Sequence, residues 1–229
     1  MLKSILLAYL AAMVFGDIYT WFILIASLTA CTIYFDKKAA FALKLFPFFL
    51  FATFCVETIG IRMSNNGFHT MLLYNVFTTV EFAYYFWLFA TILHQTTVKK
   101  ILYNLIWLFP LLALLNKLFI QKGLLVFLSF TYSFGCLLIV AAAIMYFYEL
   151  FQIEKSVDLI RERTFWISSG LLFFYTCSFP LFAVTNFFSA PTSVFRQNYN
   201  TISSLLNILL YSSFIIASLC RIRIRKFFL

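Results

Sequence analysis

GLLVFLSFTYSFGCLLIVAAAIMYFY, residues 123–148, carries no charged side chain across 26 positions. At about 1.5 Å per residue, a helix of that length exceeds the roughly 30 Å hydrocarbon core of a bilayer. No proline interrupts it. A soluble domain has no use for such a run, because its surface must stay wet. The stretch therefore reads as a transmembrane helix and sets the class of the whole chain.

Six more apolar runs, bounded by charges or turn residues, fall at 18–35, 39–60, 69–94, 99–120, 164–185 and 201–220. With 123–148 they make seven spans in one integral membrane domain covering 1–229. The expected fold is all-α, a polytopic transmembrane helix bundle with a short N-terminal helix in addition. Composition agrees: 64% of residues are hydrophobic and only 11% charged, against about 25% charged in a typical soluble domain. The 32 Phe, 13 Tyr and 4 Trp suit lipid-facing and interfacial positions. The five cysteines stand one to an apolar stretch with no CxxC pair, and read as small buried residues.

Residues 1–16 admit three readings. Lys3 followed by Ile5–Phe15 resembles a signal peptide, with Val14-x-Gly16 as a poor cleavage site. Residues 2–15 would extend only about 21 Å as a helix, short for a span. The favoured reading is an uncleaved short helix, tilted or interfacial, that joins the first span after Gly16-Asp17; an eighth span is the third.

Basic residues set the orientation. With the C-terminus in the cytoplasm, inside segments hold Lys37, Lys38, Lys44, Lys99, Lys100, Lys155, Arg161, Arg163, Arg221, Arg223, Arg225 and Lys226. Only Lys3, Arg62, Lys117, Lys122 and Arg196 fall outside. Twelve against five places the chain in the cytoplasmic (inner) membrane with its C-terminus inside. The net charge of +9 is thus topogenic, and no nucleic-acid partner is expected.

Polar residues inside spans are functional candidates, because hydrocarbon gives them no partner. Glu81 stands near the middle of 69–94, and no Lys or Arg lies deep in any span. It is expected to be protonated or hydrogen-bonded by neutral groups. Asn75, Thr78, Glu81 and Tyr85 are spaced three, three and four apart and share one helix face. Asn200, Ser204, Asn207 and Tyr211 make a second stripe, and Ser169 and Thr176 a third, with Pro180 expected to bend the outer end of its helix. With Glu57, Asn116 and Asn186 on the same side, the pattern implies an outer polar pocket with Glu81 near its floor. The competing reading makes the Asn and Ser stripes interhelical glue and Glu57 a surface partner of Arg62.

The connector 149–163 repeats Leu150, Ile153, Val157 and Ile160 at helical spacing, as an amphipathic extension or a docking segment for a protein partner. The tail Arg221–Lys226 suits anionic headgroups. Several chemistries lack their parts. Residues 201–220 have no lysine for a Schiff base, only His69 and His94 exist, and Ser168-Ser169-Gly170 is not a GxSxG elbow. No P-loop, GxGxxG or CxxCH occurs. No catalytic residue, metal or cofactor is assigned.

Leu73-Tyr-Asn-Val-Phe-Thr-Thr-Val-Glu-Phe82, Phe165-Trp-Ile-Ser-Ser-Gly-Leu-Leu-Phe-Phe174 and Ile202-Ser-Ser-Leu-Leu-Asn-Ile-Leu-Leu210 resemble a Bacteroidota family of seven-helix integral membrane proteins. The likeness runs from about residue 40 onward, with its motifs in the same order. It implies the helix count and marks Asn75, Glu81, Trp166, Gly170 and Asn207, and it implies no activity. Trp166 joins the candidate ligand-binding set on that ground, beside Asn75, Thr78, Glu81, Tyr85, Asn207 and Tyr211. The expected function is a sensing or accessory subunit that binds a small molecule from outside. A solute or ion carrier with Glu81 as coupling group is the alternative, and a lipid-modifying enzyme stands third.

Overall fold

The computed structural model describes residues 2–36, 39–123, 126–152, 159–187 and 193–220, with 2–17, 183–187 and 193–198 as backbone only. Among these residues every extended regular element is helical. Seven long helices are α1 (Leu2–Tyr34), α3 (Phe46–Asn65), α4 (Met71–Ile92), α5 (Thr96–Leu115), α6 (Ser129–Phe151), α7 (Arg163–Phe187) and α8 (Ser193–Leu219). A single turn, α2 (Phe41–Lys44), precedes α3.

Five of them supply stretches long and apolar enough to cross a membrane: Phe46–Asn65, Thr96–Ile120, Ser129–Phe151, Arg163–Phe182 and Tyr199–Leu219. Their outward faces are oily, with Trp107 83% and Phe119 70% exposed. Acyl chains, not water, are the solvent such a surface fits. The chain is a multi-pass membrane protein. In α1 the apolar described segment, Ile18–Tyr34, is shorter. In α4, Asn75, Glu81 and several tyrosines interrupt the hydrocarbon side chains, and the fold covers them. Asn75, Phe82, Tyr85, Phe86, Leu88 and Phe89 of α4 are all buried.

Several boundaries differ from the sequence reading. α1 runs unbroken through Gly16 and Asp17, so the short N-terminal helix and the first span are one element. The expected span 39–60 is split at Leu45, where Pro47 takes the first turn of α3, the place a residue without an N–H fits. α8 begins at Ser193, earlier than 201. α6 begins only at Ser129, because Val126–Leu128 belong to a connector held from elsewhere in the fold. The repeat 149–163 lies partly outside the described residues. Of it, α6 reaches Phe151 and a 3-10 turn occupies Leu159–Arg161. The tail 221–226 lies outside them too.

Neighbouring helices form a ring, α1–α3–α4–α6–α7–α8, which closes where α8 packs on α1; α5 lies outside it against α4. Side-chain hydroxyls tie the seams. Ser27 donates to the Pro47 carbonyl, Thr32 to that of Ser218, and Tyr84 to that of Ala42. Where α7 meets α8, a Cβ on Gly170 would overlap the Ser213 side chain, so only glycine allows that approach. A packed aromatic layer crosses the middle of the ring: Phe46 meets Phe214 at 5.0 Å between centroids and Tyr85 meets Tyr175 at 6.0 Å, all four fully buried.

Candidate functional site

On the connector side of that layer the ring opens into a cavity of about 780 Å³, walled by α1, α3, α4, α6, α7, α8 and the connector that follows α5. Of the seven candidate ligand-binding residues, Thr78, Glu81, Asn207 and Tyr211 line it, together with Ser204 of the second stripe. Thr78 donates to its own helix at the Tyr74 carbonyl (2.8 Å), and Asn207 Nδ2 to that of Ser203 (3.0 Å). Glu81 Oε1 accepts the Tyr175 hydroxyl at 3.2 Å. Tyr85, one turn further along α4, is buried and within electrostatic range of the same carboxyl. Among the described lining residues no lysine or arginine joins them.

Asn75 and Trp166 stand apart from this wall. Asn75 donates from Nδ2 to the Val126 carbonyl and accepts the Leu128 N–H at Oδ1, each at 2.9 Å. One buried amide thus satisfies both polar groups of a chain segment that leaves the helix, which is what a non-helical backbone at membrane depth requires. Gln121 continues the work. Its Nε2 donates to Ser129 Oγ at 2.9 Å, while Asn116 Nδ2 donates to its Oε1 at 2.9 Å. The connector so held presents Gln121, Val126 and Phe127 to the cavity. Asn75 positions the wall; it does not face the ligand space. Trp166 lies at the other end of α7, where its Nε1 donates to the Ile160 carbonyl at 2.8 Å.

Glu57 changes role. In place of the surface pair with Arg62, Oε2 of Glu57 accepts the Tyr19 hydroxyl at 2.8 Å and that of Tyr74 at 3.3 Å, and the carboxyl lines the cavity. Gly60 makes this possible: a Cβ there would collide with the Tyr74 ring, whose Cζ would be 2.8 Å away. The acid and the glycine lie three positions apart, on one face of α3. That spacing was the available signal, a small residue beside an intramembrane acid. Tyr19 and Tyr74 gave none, since span tyrosines read equally as interfacial belt residues. Glu57 and Glu81 are within electrostatic range of each other, and both are within range of Tyr211. Asn200 also reaches the wall. The side chain of Asn186 lies outside the described residues.

At the opposite, C-terminal end a second cavity of about 990 Å³ is bordered by His94, Gln95, Tyr146, Glu149 and Glu162. Its acids are engaged by the protein. Glu149 accepts the backbone N–H groups of His94 and Gln95 at 2.7 and 2.9 Å, at the start of α5. Thr164 donates to Glu162 at 3.1 Å. Nearby, Arg163 Nη1 meets Asp36 Oδ2 at 3.1 Å. Among the described residues no group of three or more His, Cys, Asp or Glu could hold a metal ion. Compared with known proteins, the chain matches no family model, no curated protein and no solved structure.

Proposed function

We propose that this protein is a non-enzymatic sensing or accessory subunit of the cytoplasmic membrane, which takes a small molecule into the connector-end cavity from the extracytoplasmic side. Counting α1 and α4 with the five apolar helices gives seven spans, and the excess of basic residues then sets the C-terminus in the cytoplasm. The connector end faces out. One observation carries the reading: two intramembrane carboxyls, Glu57 and Glu81, lie on the wall of one cavity, backed by a fully buried aromatic layer. Its size falls in the range of about 300–1,000 Å³ usual for small-molecule sites. The segment 149–163, on the cytoplasmic side, is the place for a protein partner.

A mild-detergent purification followed by mass spectrometry tests this. The expected result is a retained small molecule or a co-purifying membrane protein, together with a ligand that raises the melting temperature. An empty protein that no compound class stabilises would remove the reading.

A carrier is the second reading, favoured by one specific feature. Cavities enter from both ends and a packed layer separates them, with Glu81 at the boundary. Rocking of the ring about that layer would expose the site alternately. In proteoliposomes, a solute flux abolished by Glu81→Gln would establish it, and a flux indifferent to that change would dismiss proton coupling.

A further inference from the structure

The charge of the connector-end cavity is one-sided. Its wall has two carboxyls, and no Lys, Arg or His is among its described lining residues. At the C-terminal end the acids are occupied by Arg163, by backbone N–H groups or by a threonine hydroxyl. Here the donors are phenols, and they do not use up the acceptors. Tyr19 and Tyr74 both address Oε2 of Glu57; among the described residues no donor reaches its Oε1.

Facing the acids is a cluster of rings. Tyr132 and Phe182 approach to 4.1 Å between centroids, Phe127 lies 5.7 Å from Tyr132, and Phe182 lies 5.8 Å from Tyr199. All four border the cavity. The negative face of an aromatic ring attracts a cation, more strongly where water is excluded. A free carboxylate oxygen supplies the ionic partner. An anion would meet two acids and, among the described lining residues, no cation, and a Ca²⁺ ion would lack the roughly six to eight close oxygen ligands it takes.

We propose that this cavity binds an organic cation, a primary amine or quaternary ammonium on an apolar body, with its charge at Glu57 and Glu81 and its body against Phe127, Tyr132 and Phe182. The inference rests on the small-molecule reading above and adds the charge and shape of the ligand.

The test uses the full chain in neutral detergent, with empty micelles as the partition control. The probes are benzyltrimethylammonium and 2-phenylethylamine, against 2-phenylethanol and 3-phenylpropanoate, read by calorimetry and thermal unfolding. Both cations should bind saturably and raise the melting temperature. The alcohol should bind at least about tenfold more weakly, and the carboxylate should not bind. Glu57→Gln should weaken the amine at least about tenfold with helicity unchanged. The order of the four probes on the unaltered protein needs no variant and stands if that one misfolds. Alcohol or carboxylate binding as tightly as the amine overturns the cation assignment and leaves the pocket. Four silent probes, with nothing retained on purification, overturn both.

Discussion

At the C-terminal end of the bundle Arg163 meets Asp36 at 3.1 Å, and Glu149 spans the two N–H groups that open α5. At the connector end Glu57 and Glu81 meet, among the described residues, only tyrosine hydroxyls. The two ends thus answer one problem differently. A charge taken from water costs several kcal/mol unless something in the protein compensates it, on the order of 20 in the idealised limit. The first end compensates internally and gains a fixed helix arrangement. The second leaves acceptor capacity facing an open space, an arrangement that makes sense where the missing partner arrives from outside. Local polarity therefore does not identify a site; the state of its hydrogen bonds does.

The sharpest way to break the contrast is at Asp36. In Asp36→Ala, Arg163, whose side chain is 9% exposed, would lose this ion pair, and unfolding in detergent should become easier by about 3 kcal/mol. Amine binding at the far end should survive wherever the protein remains folded. Next in size is Gly170→Leu, which overfills the α7–α8 seam against Ser213 and should cost about 2–3 kcal/mol. Ser213→Gly on the Gly170→Ala background should recover most of the smaller loss there, as a melting series would show.

Asn75→Ala removes both hydrogen bonds to Val126 and Leu128. A loss of about 2 kcal/mol is expected, with faster amide exchange confined to the connector and to the first turn of α6. Exchange that quickened equally around Glu149 would show that the two ends are not independent. The smallest effect belongs to Glu149→Ala. Losing this cap at the start of α5 should cost about 1 kcal/mol, seen as a lower melting temperature with ligand affinity unchanged.

Much of the architecture was legible in the chain because a bilayer asks little of sequence beyond length and oiliness. The run 123–148 was readable as a helix in that solvent, and from Ser129 onward it is one. Candidate residues were legible in part, and for a uniform reason. Helical spacing tells which side chains share a face, so Thr78 with Glu81 and Asn207 with Tyr211 were found together. Spacing does not tell what stands opposite. Asn75 sits on the same stripe as Glu81 yet serves the connector, and Trp166 belongs to the other end. Glu57 looked like a partner for Arg62 because the two lie five residues apart; Tyr19 and Tyr74 reach it from other helices.

Hydropathy and charge placement alone decided that this is an all-α, multi-pass membrane protein, since hydrogen bonding within each helix is the backbone's own solution to a solvent without donors or acceptors. Only the tertiary structure decided that the helix of the run 123–148 begins at Ser129, that α1 continues through Gly16, and that two acids from different helices share one cavity. Those outcomes depend on side chains far apart in the chain meeting across helix seams, where the geometry of packing, and not the order of residues, sets who finds a partner and who is left facing open space.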